Sequence, residues 1–184
     1  MNVDELINKS GTFIIGEWPM DSQTKTELFH MYQSYKRELW TYTGQNFENE
    51  LEGWFEDMMT MPDMEVKPIR NAHTNALIGF LMVQDLDEEQ QMESGCRWFI
   101  SEAYIMPAYR DQRFMTTVIH DFIAGHKGNI GLVTIDKNEK AMKFWNDTLG
   151  GLGYLRERID SLSNATDSFY RYKVPALASI WQNR

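Results

Sequence analysis

Leu28, Met31, Tyr32, Tyr35 and Leu39 recur at helical spacing, and Asp21 or Ser22 stands where a cap is needed, so a helix is expected from about residue 22 to 39. The stretch 41–46, "TYTGQN", breaks it. Leu51, Trp54, Phe55, Met58 and Met59 then form a second apolar stripe, with Glu48, Glu50, Glu52, Glu56 and Asp57 on the other sides. That pattern predicts an amphipathic helix with an acidic outer face, ended at Met61-Pro62-Asp63. Met115, Val118, Ile119, Phe122 and Ile123 define a third helix, which Gly125 can cap. A fourth opens at Asn138 and carries Ala141, Phe144, Trp145 and Leu149 on one side.

Strand patterns fill the intervals. Residues 12–18, "TFIIGEW", are a short β-rich run closed by Pro19. Residues 65–85 read as a hairpin about the turn formers "NAHTN", with a nearly continuous apolar second arm from Ala76 to Val83. The charged stretch 85–95 is expected to be a solvated loop. Residues 96–106 form the next strand, stopped by Pro107, and 129–136 a buried one. "YLRERID" and "SFYRYKV" alternate around "SLSNATD" as a closing hairpin. The order β α α β β β α β α β β is that of a mixed α/β layer fold whose first half is mostly antiparallel. A chain of 184 residues suits one domain spanning 1–184.

Charge and composition narrow the function. The net charge is −9, and no basic run is longer than Lys36-Arg37, so no nucleic-acid partner is expected. An acidic surface favours cationic partners such as amines, or simply aids solubility. One cysteine, Cys96, permits no disulfide framework, and its place before an apolar strand suits a small filler. His30, His73, His120 and His126 lack metal-ligand spacing, so no metal is expected. The polar N-terminus and the lack of a long apolar run lead to the expectation of a cytoplasmic protein without a membrane partner. Leu177, Ile180 and Trp181 in the tail suit either a homodimer contact or packing on their own chain.

Two motifs carry more. Glu102-Ala103-Tyr104-Ile105-Met106-Pro107-Ala108-Tyr109-Arg110 leads through Asp111-Gln112-Arg113-Phe114-Met115 into the third helix. Asn138-Glu139-Lys140-Ala141-Met142-Lys143-Phe144-Trp145 opens the fourth. In this order, on a strand-helix-strand-helix frame, they resemble the GCN5-related N-acetyltransferase (GNAT) superfamily, whose patterns are E-x-Y-V-x-P-x-[YF]-[RQ], then x-x-G-x-[GA], and later N-x-x-A-x-x-[FL]-Y. The resemblance implies a mixed, mostly antiparallel central sheet with helices on both faces and a splayed strand pair. It implies acetyl-CoA as co-substrate and a small-molecule or peptide amine as acceptor. The pantetheine arm would pair with the backbone at Tyr104, Ile105 and Met106. The diphosphate would lie on Arg110, Asp111, Gln112, Arg113, Phe114, Met115 and Thr116, where a helix N-terminus offers free N–H groups. Asn138 and Trp145 would complete the cofactor contacts. Glu102 is the candidate general base, since acyl transfer to an amine needs the ammonium deprotonated; the other reading is that it pairs with a lysine or arginine or points to solvent.

The chain departs from the family at two places. Arg113 and Met115 stand where the family has small residues, and their side chains would crowd a diphosphate. The arginines could replace backbone donors, the loop could hold a shifted or different anion, or cofactor binding could be lost. Trp145 stands where many members have a tyrosine that protonates the departing thiolate, and indole cannot do this. Tyr104 and Tyr154 have the chemistry, though nothing in the sequence places them. A fold-keeping, catalytically inactive binding or regulatory protein is the alternative these departures support.

Overall fold

The computed structural model describes residues 20–174 and the backbone of 13–15, apart from the side chain of Asp111. The tail with Leu177, Ile180 and Trp181 lies outside the described residues, as does most of the first expected strand. The chain divides into two compact units, Met1–Val83 with Glu102–Asp121, and Gln84–Ser101 with Phe122–Arg184.

The first unit is built from β1 (Phe13–Ile15), α1 (Ser22–Thr43), α2 (Leu51–Thr60), β2 (Met64–Asn71), β3 (Leu77–Asp85) and the C-terminal half of β4 (Trp98–Ile105). Asp21 caps α1 by accepting from the Thr24 amide at 2.8 Å. Gly44 ends it at φ 73°, its N–H bonded to the Trp40 carbonyl. Strand neighbours run β1-β2-β3-β4, with β1 antiparallel to β2 from Phe13↔Asn71 to Ile15↔Ile69. The expected hairpin turn forms at residues 71–76. The Asn71 side chain accepts from the amides of His73 and Thr74, and Asn75 takes φ 57°. Leu28, Met31, Tyr32, Leu51, Phe55, Phe80, Met82 and Tyr104 make the core of this unit, and Met58 and Met59 pack against it. The methionines of α2 are therefore core filler.

The second unit holds the N-terminal half of β4, then α4 (Phe114–Gly125, shared with the first unit), β5 (Ile130–Ile135), α5 (Glu139–Gly151), β6 (Leu155–Arg158) and β7 (Asp167–Lys173). Its strand order is β4-β5-β7-β6. β4 runs parallel to β5, whereas β5–β7 and β6–β7 are antiparallel. The fold is thus mixed and mostly antiparallel. Leu86, Cys96 and Phe169 form a core cluster here, with Phe99 stacked on Phe169 at 5.9 Å. Burial raises the Cys96 thiol to about 11, in keeping with a packing role.

One expectation is corrected. The stretch taken for a solvated loop contains α3 (Glu88–Ser94). Its cause is local. Asp87 and Gln90 form a reciprocal capping box, and Gly95 closes the helix at φ 67°. Among the described residues no helix is long and apolar enough to cross a membrane.

Gly79 on β3 fixes how closely the backbone approaches β4. A Cβ there would lie 2.4 Å from the Tyr104 carbonyl oxygen. Gly79→Ala is expected to cost about 1–3 kcal/mol by overpacking. Calorimetry should show a melting temperature lower by about 2–4 °C for each kcal/mol.

Candidate active site

The C-terminal half of β4 carries Glu102 and Tyr104 on the same side of the strand, two residues apart. α1 supplies the groups they meet. The Lys36 ammonium donates to the Glu102 carboxylate, and the two side chains are only 16% and 11% exposed. The Tyr35 hydroxyl lies near Glu102. The Lys36 nitrogen lies 5.1 Å from the Tyr32 ring centre and 5.4 Å from that of Tyr35. Burial, and then the negative charge of Glu102, push the Tyr32 and Tyr35 hydroxyls far above the ordinary tyrosine range.

A second ion pair lies alongside. Arg110 grips both carboxylate oxygens of Glu38 at 2.7 and 2.6 Å, and its Nε donates to the Ile105 carbonyl at 2.9 Å. Its guanidinium also covers the Tyr104 ring, 5.4 Å from the centre. Tyr104 packs on Tyr35 at 5.3 Å and on Phe80 at 5.9 Å. Burial and the Glu38 charge raise its hydroxyl pKa, so it stays protonated at neutral pH. Arg110, one of the expected diphosphate donors, is thus engaged with the chain's own carboxylate and carbonyl.

After β4 the chain makes a 3-10 turn over Pro107–Gln112 and enters α4 through Arg113. Arg113 sits at φ 60°, ψ 17°, the left-handed conformation that glycine adopts most readily. The turn therefore keeps the glycine conformation without the glycine. Met115 has no such φ, so only the first of the two departures carries a backbone demand. Gln112 and Arg113 are exposed, Met115 and Thr116 half-buried and Phe114 buried. Helix geometry leaves the amides of Met115 and Thr116 without a partner four residues back inside α4. What this stretch offers an anion is the left-handed turn and exposed side chain of Arg113 and the first amides of α4; the Phe114 side chain is turned inward. The β4–β5 register runs from Trp98↔Ile130 to Ile100↔Leu132, upstream of Glu102.

Asn138 and Trp145 belong to the second unit. Asn138 caps α5, accepting from the Ala141 amide at 3.1 Å, so the asparagine–alanine spacing of the motif is a helix start. Trp145 is buried and meets Phe144 edge-on at 5.0 Å. Tyr154 is buried too, and burial raises its pKa. Among the described residues no group of three His, Cys, Asp or Glu side chains is arranged to hold a metal ion. Sequence reasoning missed Tyr35, Lys36 and Glu38. The only signal was their place on the buried side of α1 and at its margin.

No protein-family model and no curated protein sequence matches this chain. Solved structures do. An acetyltransferase from Thermus thermophilus superposes with a TM-score of 0.63 at 14% identity, over 89% of this chain and 97% of the other. A GNAT-family acetyltransferase from Staphylococcus aureus gives 0.60 at 16% identity, over 88% and 98%. The chain has the GNAT fold. Spermidine N-acetyltransferase from Vibrio cholerae, in complex with CoA and spermine, gives 0.56 at 14% identity, over 89% and 95%.

Two stability outcomes follow for this GNAT-fold site. Arg113→Gly should relieve the left-handed strain and raise stability by about 1 kcal/mol, read as a melting temperature about 2–4 °C higher. Glu102→Gln should strand the Lys36 ammonium and cost about 3 kcal/mol, with Lys36→Met in the same chain returning most of it. Denaturant titration of both single variants and the double variant measures this coupling.

Proposed function

We propose that the protein is an acetyl-CoA-dependent N-acyltransferase that moves an acetyl group onto the primary amine of a small or peptide acceptor by direct attack. The observation that carries this reading is the turn at Arg113, which keeps a glycine-type backbone conformation at the mouth of α4. A backbone held in this conformation at a helix start turns its N–H groups outward, which suits an anion. The fold likeness to acetyltransferases supports it, and the spermidine enzyme among them supports a small amine as acceptor.

Acetyl-CoA, when bound, supplies an acetyl group activated as a thioester. The amides at the start of α4 would hold its diphosphate, with Arg113 adding charge. Main-chain groups of residues 104–106 would align the pantetheine arm. Glu102 would take the proton from the acceptor ammonium, directly or through water, once Lys36 has moved aside. The freed amine then attacks the carbonyl carbon, and the carbon–sulfur bond breaks. Tyr104, on the same side of β4 as Glu102 and protonated at neutral pH, would supply the proton to the departing sulfur.

The second reading, an inactive binding or regulatory protein, is favoured by two contacts. Lys36 occupies Glu102, and Arg110 occupies the Ile105 carbonyl. Thermal melting distinguishes the readings. Acetyl-CoA at 100 times its dissociation constant should stabilise the enzyme by about 2.7 kcal/mol, a rise of several degrees. Millimolar acetyl-CoA without any rise favours the inactive reading. If binding is seen, Glu102→Gln should slow turnover at least tenfold while the melting shift with acetyl-CoA persists.

A further inference from the structure

The occupant of Glu102 bears on which amine is accepted, an inference that rests on the N-acyltransferase reading. Each charged side chain of the cluster has a partner of opposite sign, Lys36 with Glu102 and Arg110 with Glu38. The four sum to zero, so the cluster offers no spare negative charge to an incoming cation. An acceptor ammonium reaches Glu102 only by exchanging with Lys36. The fate of Lys36 after the exchange then sets the preference.

Lys36 is 16% exposed and lies over two tyrosine rings, so a displaced ammonium has little water to retreat into. A diamine or polyamine would add positive charge beside it and leave it unpaired. An amine that carries its own carboxylate gives Lys36 a new partner while taking the old one. The exchange then ends with two ion pairs where there was one. The four-carbon lysine stem provides the necessary movement.

We propose that the acceptor is a small zwitterion, a free α-amino acid, whose ammonium docks on Glu102 and whose carboxylate docks on Lys36. The ammonium passes one proton to Glu102. The neutral nitrogen bonds to the thioester carbonyl carbon as the carbon–sulfur bond breaks. Tyr104 gives its proton to the departing sulfur and is reprotonated by the second proton the nitrogen sheds, so CoA leaves as the free thiol, the product is an N-acetyl amino acid, and Glu102 releases its proton to water. Lys36 thereby acts as a specificity-determining residue and takes no part in the proton transfers.

The test uses the full chain with acetyl-CoA and matched probes: each of the twenty amino acids, its carboxamide, and spermidine. Release of CoA is followed. The expected result is at least a tenfold higher kcat/KM for the accepted amino acid than for its carboxamide, with spermidine poorer still. Lys36→Gln should bring acid and amide to within about twofold, mainly through KM, while Lys36→Arg keeps the preference and shows that the fold is intact. Preference for the carboxamide or for spermidine overturns the proposal, as does a preference that survives Lys36→Gln. Failure to turn over any amino acid also overturns it. If acetyl-CoA still raises the melting temperature in that case, only the acceptor assignment falls. Without any rise, the acyltransferase reading falls with it.

Discussion

The contact between the Lys36 ammonium and the Glu102 carboxylate organises the candidate site. It ties α1 to β4 across 66 residues of sequence and does so mostly out of water. Two unit charges about 4 Å apart attract by about 4 kcal/mol at an effective dielectric constant of 20. Desolvating them costs several kcal/mol per ion, so the pair is close to neutral for stability. Its main effect is to orient. It holds Glu102 against the hydroxyl of Tyr35 and sets Lys36 over the rings of Tyr32 and Tyr35. Tyr35, Phe80 and Tyr104 pack on one another beside it as an aromatic layer.

The Arg110–Glu38 pair acts at the strand end. Its two short hydrogen bonds and the contact to the Ile105 carbonyl link α1, β4 and the 3-10 turn in one network. Both side chains keep more than a third of their surface or close to it in water, so the pair contributes little net energy. It does tie the 3-10 turn back to the end of β4. Charge around Glu102 is balanced by neighbours that the fold brings in, and an approaching ligand meets a site with its partners already chosen.

Much of this fold was legible in the sequence. The apolar stripes of α1 and α2, the turn at Asn71–Asn75 and the cap at Asn138 follow from local chemistry, and local chemistry is what a sequence states directly. α3 was missed because its charged residues outweighed a capping box, Asp87 with Gln90, and the closing Gly95. Those three letters were the available signal. The candidate base Glu102 was legible through its motif, but its partner was not. Lys36 and Glu38 reach β4 and the 3-10 turn from 66 and 72 residues away, and no spacing rule encodes such a meeting. Arg110 read as a donor for an external anion for the same reason.

The left-handed residue at the entrance to α4 has a wider meaning. Its conformation is imposed by the 3-10 turn before it and the helix after it, so an arginine can hold a place that glycine occupies more comfortably. Once neighbours dictate the bend, the letter at that position is free to drift. A residue pattern anchored on glycine then finds no purchase, while the path of the main chain can still be traced onto distant proteins. In such a chain the fold is carried by shape where the letters differ.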